Sequence, residues 1–273
     1  MIKKILTRVF DVMGYRVISK SANLNFIYRE NMIGLFERYI ATLGDKNLSE
    51  PEKKINLKFC SYILKNKDLT SSQLYQDLAY LFFCGRPSEN GYFVEVGVGD
   101  GVNHSNNLML EKVYLMKGLL IEPDPRQKKS IVKNRTATYV GMAASSSMQS
   151  LKFNLASTPE LSWTGIKPID VLDRRVLSVQ EVKAKPLNDI LNTHFPSGHT
   201  LDFLSVDVEG SEMDVLSGFN IESWKPKFVC VEHNYDDQVK RDLINYFSKG
   251  YNLMLRDISG CDYWFVRKDV IDL

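Results

Sequence analysis

Closely spaced cysteines are missing from this chain of 273 residues. It has four cysteines, and no two of them stand at the short spacing that zinc and redox motifs require. Cys230 falls in an apolar stretch, and the simple interpretation is that all four are reduced thiols of a cytosolic protein. We therefore expect no zinc site.

Long apolar runs and a strong charge of one sign are also missing. No stretch approaches the roughly 20 apolar residues that a membrane-spanning helix needs, and the first residues lack the apolar core of a signal peptide. The 35 Lys and Arg nearly balance the 33 Asp and Glu, which leaves a net charge of +2. No basic run is interleaved with aromatic residues, so we expect no nucleic-acid partner and a cytoplasmic location.

The chain divides into two regions by pattern. Residues 1–70 show helical periodicity without strands and form a predicted helical accessory segment, whereas residues 71–273 alternate strands and helices. The accessory segment is either a cap or dimerisation element, which would make a homo-oligomer, or a membrane-surface contact. The second interpretation depends on the first predicted helix, within residues 1–20, which contains five basic residues and a single acid. This excess of positive charge would suit the anionic lipid headgroups at the inner face of the membrane.

An apolar run ends in three alternating glycines. The chain reads Phe-Val-Glu-Val-Gly-Val-Gly-Asp-Gly up to Gly101, with Gly97 and Gly99 before it. Such glycines let the backbone turn sharply and approach a ligand closely. A second strand-like run ends at Glu122, whose carboxylate can accept hydrogen bonds from two ribose hydroxyls. This pairing indicates a ligand that contains adenosine.

Two acids at the turn bear on which ligand it is. Glu95 and Asp100 would repel a pyrophosphate, which prefers an uncharged glycine loop at the start of a helix. They suit a cofactor with an ammonium and a sulfonium group, so the sequence favours S-adenosylmethionine. The alternatives are an NAD(P)-dependent oxidoreductase and a glycine-rich turn with solvated acids.

Two later strands also end in polar residues. One runs into Asp207 and Glu209, and the other into Glu232, His233 and Asn234. Ligands of open α/β sheets bind outside the carboxyl ends of the strands. We therefore expect these side chains to meet the glycine turn at one rim.

These blocks resemble the FkbM family of S-adenosylmethionine-dependent methyltransferases. The resemblance rests on FVEVGVGDGVNHSNNLMLEK, GLLIEPDP, LDFLSVDVEGSEMDVLSGF and PKFVCVEHN, and it covers about residues 71–267. It implies a class I methyltransferase (Rossmann-like) fold, which is a mostly parallel seven-stranded sheet with helices on both faces and an antiparallel last strand. It also implies O-methylation, commonly of a sugar or glycan hydroxyl, without identifying the acceptor. The cofactor residues would be Glu95, Gly97, Gly99, Asp100, Gly101, Glu122 and Asp207.

The predicted strands are interrupted between Ala144 and Lys185. Turn residues punctuate this segment, and a loop of such length in a compact domain is usually functional or mobile. It is a candidate lid for the acceptor. Trp163 within it either stacks on a sugar ring or anchors the loop to the core.

Methyl transfer to a hydroxyl requires in-line alignment and removal of a proton. Glu209 and His233 are the candidate bases, with Asp207 beside them. Oxygen and imidazole ligands at Asp207, Glu232 and His233 are also compatible with Mg²⁺ or Mn²⁺. Another function class stays open, namely a non-catalytic scaffold in polysaccharide assembly that keeps the fold without the reaction.

Overall fold

The computed structural model describes residues 34–37, 39–46, 48–157, 159, 162–164 and 176–271. Contacts between Cα atoms divide the chain into residues 1–45 and 46–273. In the first unit, residues 34–37 and 39–44 are helical, as the periodicity of residues 31–43 predicts. The basic stretch within residues 1–20 lies outside the described residues, and the predicted division at residue 70 stays a prediction. No helix in the described part of the chain is both long and apolar enough to cross a membrane.

The second unit contains eight α-helices among its described residues: α1 (Glu50–Asn66), α2 (Gln76–Cys84), α3 (Leu108–Tyr114), α4 (Lys128–Asn134), α5 (Leu187–His194), α6 (Glu212–Ser217), α7 (Ile221–Trp224) and α8 (Asp237–Phe247). Its strands are β1 (Gly91–Val96), β2 (Lys117–Ile121), β3 (Thr138–Val140), β4 (Ala143–Ser145), β5 (Gln149–Ala156), β6 (Trp163–Thr164), β7 (Val176–Pro186), β8 (Thr200–Val206), β9 (Phe228–Glu232), β10 (Tyr251–Met254) and β11 (Asp262–Arg267). A 3₁₀ turn, Lys268–Val270, follows β11.

Seven strands form the main sheet in the order β10-β11-β9-β8-β1-β2-β3. All neighbouring pairs from β9 to β3 are parallel, whereas β11 is antiparallel to both β9 and β10. The chain order reverses between β1 and β8, which is where α/β sheets bind ligands. The predicted fold class, including its antiparallel strand, is confirmed.

The central strands are buried on both faces. Every residue of β1 and β9 is buried, and so are the last six of β8. Such continuous apolar runs are typical of parallel strands with helices on each side. The core contains Phe93, Leu204 and Val229, none of which is exposed. This packing fixes where the polar residues beyond each strand end come to lie.

A second sheet replaces the irregular loop that we expected between Ala144 and Lys185. It has the order β4-β7-β5-β6, and β5 pairs antiparallel with both β7 and β6. In β5, Phe153, Leu155 and Ala156 are buried, whereas Lys152 is exposed and Asn154 is half-buried. The prediction of a single strand over residues 138–143 was also wrong, because β3 and β4 belong to different sheets.

Helix α1 confirms the helical prediction for residues 56–64. It begins at a capping box in which the hydroxyl of Ser49 accepts the backbone N–H of Glu52, and the Glu52 carboxylate accepts the N–H of Ser49. Phe59 on its buried face lies 5.2 Å from the ring of Phe82 in α2. Helix α1 therefore packs on the α/β region.

Candidate active site

A cavity of about 800 Å³ lies at the carboxyl ends of β1, β2, β8 and β9. Its lining includes five carboxylates, and none of the described residues around it is a lysine or arginine. The residues that line the cavity include Gln73, Glu95, Gly97, Gly99, Asn103, Asn106, Glu122, Phe153, Asp207, Glu209, Glu232, Asn234 and Tyr235. The strand ends thus converge as predicted, and the charge of the cavity suits a cationic ligand.

Gly97 lies where β1 passes closest to the chain beyond β8. Its φ is 81°, and a Cβ built on it would lie 1.6 Å from the carbonyl oxygen of Asp207. The backbone N–H of Asp207 donates to the carbonyl of Val96 at 3.0 Å, which closes the two strand ends together. The sheet itself therefore requires glycine here, in addition to any approach of a ligand.

Asp100 and Gly101 shape the turn and do not line the cavity. The backbone N–H groups of Val102 and Asn103 both donate to Asp100 Oδ1 at 2.8 Å. Gly101 has a φ of 77°, and a Cβ there would lie 3.1 Å from Ile131 in α4. The predicted cofactor contact of Asp100 and Gly101 is not what the geometry favours.

Glu122 stands beyond β2 and ties that strand end to the glycine turn. Its Oε2 accepts the backbone N–H groups of Val98 and Gly99, each at 3.0 Å, and its Oε1 accepts that of Asp124 at 2.8 Å. Burial raises the pKa of Glu122 to about 7, although the backbone donors oppose this shift. Oε1 keeps a lone pair with which it could accept a ribose hydroxyl.

Glu95 is held from behind by a residue that the sequence analysis did not identify. Its carboxylate accepts the backbone N–H of Asn106 at 2.8 Å, the Ser105 hydroxyl, and Arg135 Nη1 at 3.5 Å. The fully buried Arg135 also donates to Glu111 at 2.6 Å and to the carbonyl of Gly101 at 3.0 Å. Burial raises the pKa of Glu95, and the charge of Arg135 opposes it.

Asn106 lines the cavity and also has a buried polar atom without a partner in the described part of the chain. Its Nδ2 donates to the Ser205 hydroxyl at 2.9 Å, while its buried Oδ1 has no hydrogen-bond partner among the described residues. An unsatisfied buried acceptor costs about 1–3 kcal/mol. The atom is not accessible to solvent, so it does not face the cavity. The carboxylates of Glu95 and Glu122 do line the cavity, and they suit the ammonium group and the ribose of S-adenosylmethionine. The residues present therefore fit that cofactor.

Three carboxylates form a compact acid cluster beside the glycine turn. Asp207, Glu209 and Glu232 each place one oxygen within 4.8 Å of the others. Burial, followed by the charge of Glu209, raises the pKa of Asp207 well above its usual range. Burial and the charge of Asp207 likewise raise the pKa of Glu232, and these two side chains share a hydrogen bond. The pair therefore holds a proton at neutral pH.

His233 does not join this cluster and does not line the cavity. Its Nδ1 accepts the backbone N–H of Tyr235 at 3.0 Å, which places the ring proton on Nε2. Burial lowers the pKa of His233 to about 4, so the ring is neutral. Neither nitrogen is available as a base in this arrangement. The metal ligand set that we predicted with His233 also fails, and Glu209 takes its place in the cluster.

Trp163 is buried in β6 and is absent from the cavity lining. It pairs with Asn154 of β5, whose Nδ2 donates to its carbonyl at 3.3 Å. Of the two interpretations of this tryptophan, the structure supports the anchor.

The model of the methyltransferase FkbM domain matches residues 95–259, which is more than half of the chain. The chain belongs to the FkbM methyltransferase family. This confirms the resemblance seen in the sequence, and FkbM membership supports the predicted use of S-adenosylmethionine.

The individual proteins and solved structures that resemble this chain match it only over a short segment or at low sequence identity. The methyltransferase sdnD of Sordaria araneosa is 39% identical over 51 residues, which are 16% of this chain and 20% of that protein. The crystal structure of methyltransferase FkbM from Methylobacillus flagellatus KT is 15% identical with a TM-score of 0.48, over 87% of this chain and 59% of that one. A mutant of MtNAS in complex with S-adenosylmethionine is 11% identical with a TM-score of 0.33, over 89% and 75% of the two chains. The chain thus spans only part of its first relatives.

Proposed function

We propose that this protein transfers the methyl group of S-adenosylmethionine to a hydroxyl of a sugar or glycan. The observation that carries the proposal is the single cavity in which the glycine turn, Glu122 and the acid cluster meet. Family membership supports the methyl transfer. The sugar hydroxyl rests on the sequence resemblance and on a cavity lined by carboxylates and neutral polar groups.

The cofactor would be held by groups on three sides of the cavity. Glu122 would accept a ribose hydroxyl, the carboxylate of Glu95 would attract the ammonium group, and the turn at Gly97 and Gly99 would let the backbone approach. When bound, this cofactor supplies an electrophilic methyl on a sulfonium.

Glu209 is the proposed general base. It lines the cavity, and its φ of 61° is a left-handed conformation that non-glycine residues adopt rarely and at a cost. The following turn is fixed because Glu212 Oε1 accepts the backbone N–H groups of Val208 and Gly210 at 3.2 and 2.9 Å. Glu209 would take the proton of the acceptor hydroxyl, while Asp207 and Glu232 share theirs.

Without a metal ion, a proton shared by Asp207 and Glu232 would relieve the repulsion within the acid cluster. Mg²⁺ or Mn²⁺ is the alternative occupant of the same oxygens. Loss of activity in EDTA, restored by either ion, would decide for the metal.

Calorimetry with S-adenosylhomocysteine, followed by a methyl-transfer assay on glycans, tests the proposal. We expect binding of the nucleoside product and methylation of a hydroxyl. Binding without transfer to any glycan would favour the non-catalytic scaffold, and binding of NAD(P) instead would favour the oxidoreductase.

A further inference from the structure

Tyr235 stands at the cavity and is unusually exposed for a residue of its size. Its side chain lines the cavity and 66% of the residue is accessible to solvent. It follows the acid cluster closely in the chain, and the intervening Asn234 donates from Nδ2 to Glu232 Oε2 at 2.8 Å. The ring is therefore tied to the end of the strand that carries Glu232.

The backbone at Tyr235 has a conformation that is rare for a residue with a side chain. Asn234 and Tyr235 have φ values of 45° and 61°, two consecutive left-handed residues. Such a conformation costs about 1–2 kcal/mol for Tyr235, whereas asparagine adopts it more readily. Strain of this kind persists where the surroundings hold it, and it is concentrated at functional sites.

His233 is the group that holds it. Its ring Nδ1 accepts the backbone N–H of Tyr235 at 3.0 Å, and the backbone N–H of His233 donates to the carbonyl of Cys261 at 2.7 Å. The next residue, Asp236, donates its N–H to the carbonyl of His233 at 2.8 Å and caps α8 by accepting from Gln238 and Val239. The buried imidazole thus has a role that the reaction itself does not give it.

Among the described residues, Lys240 is a cationic neighbour of the Tyr235 ring, and its Nζ also pairs with Asp237 at 3.0 Å. Lys240 Nζ lies 5.8 Å from the centroid of the Tyr235 ring, and the His233 ring meets that ring edge-on at 5.8 Å. A cation over one face of an aromatic ring leaves the opposite face for a further contact. At a cavity, that face can pack against the apolar C–H side of a ligand.

The remaining groups at the cavity indicate the class of that ligand. Gln73, Asn103 and Asn234 offer amides, which both donate and accept hydrogen bonds, and the carboxylates below accept them. A neutral pyranose has a flat C–H face for the ring and hydroxyls for these partners. A uronate or sugar phosphate would instead meet five carboxylates and no cation among the described lining residues.

We propose that Tyr235 is the aromatic platform of an acceptor subsite for a neutral pyranose, and that His233 is the positioning residue that presents it. This rests on the proposed methyl transfer and names the substrate class of the same site. The subsite lies on the helix α8 side of the cavity, next to Glu232.

The test is saturation-transfer NMR on the full chain with saturating S-adenosylhomocysteine. The probes are the methyl pyranosides of glucose, galactose and mannose, with glucuronate as the anionic comparison. We expect transfer to at least one neutral pyranoside and none to glucuronate. Tyr235→Ala should raise the dissociation constant of the neutral pyranoside about tenfold, the scale of one aromatic contact. Tyr235→Trp should keep the binding, and Tyr114→Ala, a tyrosine away from the cavity, should be neutral.

The positioning role is tested by a matched pair. The Oδ1 atom in His233→Asn can replace Nδ1 as the acceptor, so this variant should keep pyranoside binding, whereas His233→Leu should lose it like Tyr235→Ala. Nucleoside affinity should be unchanged in all of them. Pyranoside binding that survives Tyr235→Ala, or wild type that binds the nucleoside but no neutral pyranoside, overturns the subsite. Wild type that fails to bind the nucleoside overturns the proposed function instead.

Discussion

The Oε2 atom of Glu122 lies 3.0 Å from the backbone nitrogen of Gly99, so the acid beyond β2 fixes the glycine turn beyond β1. The same oxygen accepts the N–H of Val98 at 3.0 Å. One carboxylate therefore both shapes the turn and lines the cavity. Removing this carboxylate should weaken ligand binding in two ways, because a direct contact is lost and because the glycine turn is no longer fixed.

Glu122→Ala should weaken binding of S-adenosylhomocysteine by about 1.5–3 kcal/mol, the scale of hydrogen bonds to a charged group. Calorimetry on the folded variant measures this. The matched control is Glu222→Ala in α7, an exposed acid away from the cavity. An affinity equal to that of wild type would remove Glu122 from the cofactor site.

Nucleoside affinity should also depend on pH through Glu122. Because burial raises its pKa to about 7, the carboxyl group is mostly protonated at pH 5.5 and ionised at pH 8. The ionised form is the better acceptor, so affinity should increase with pH, by about tenfold over this range. In Glu122→Gln this increase should be absent. A pH profile shared by wild type and variant would assign the dependence to another group.

Gly97→Ala should destabilise the fold more than a glycine replacement of similar φ elsewhere. Gly85 has a φ of 73° with nothing within 4 Å of an added Cβ, whereas the Cβ at Gly97 would collide with the Asp207 carbonyl. Gly85→Ala should cost about 1–3 kcal/mol from its backbone alone, because a φ of 73° with a ψ of −161° is essentially restricted to glycine. Gly97→Ala should cost at least about 2 kcal/mol more from overpacking. Urea denaturation measures the free energy of unfolding of both variants. Equal costs would mean that the backbone at Asp207 shifts to make room for the added methyl group.

The sequence was sufficient to predict the main sheet and the polar residues that meet at the ends of its strands. Polar residues such as Glu122 and Asp207 follow apolar runs, and the topology of parallel strands brings those ends to one edge. It was not sufficient for side chains whose role depends on contacts distant along the chain. Nothing local marks Arg135, which is buried against Glu95 and Glu111.

The choice between the two predicted bases shows the same limit. His233 and Glu209 both follow strand ends, and the sequence does not show that the imidazole of His233 accepts the N–H of Tyr235 and lies outside the cavity lining. The second sheet was missed for another reason. The alternation that marks β5 is short, and most of β7 is exposed, so neither strand shows the continuous apolar run of the main sheet.

Glu232→Gln should stabilise the protein at alkaline pH. The pKa of Glu232 is raised in the fold, so the folded state keeps a proton that the unfolded chain releases above about pH 4.3. The buried Glu232 carboxyl therefore does not lower the free energy of unfolding below that pH, and it lowers it increasingly as the pH rises. We expect Tm to increase by about 2–4 °C at pH 8, which corresponds to about 1 kcal/mol, and to change little at pH 4.

Thermal denaturation of both proteins at the two pH values measures the effect, with Glu222→Gln as the exposed control. A variant that is less stable than wild type at pH 8 would show that Glu232 is held by favourable contacts which outweigh the repulsion from Asp207.

Glu209→Gln should lower kcat about 10²–10⁴-fold, the usual contribution of a general base. The amide keeps the shape of the carboxylate and loses its ability to take the proton, so the affinity for S-adenosylhomocysteine should stay close to that of wild type. His233→Asn is the matched comparison. We expect it to retain turnover, because His233 lies outside the cavity and its contact with Tyr235 can be made by an amide oxygen. Single-turnover kinetics separate the chemical step from product release. Full turnover in Glu209→Gln, together with loss of turnover in His233→Asn, would reverse the two roles and would require the His233 side chain to leave Tyr235 during the reaction.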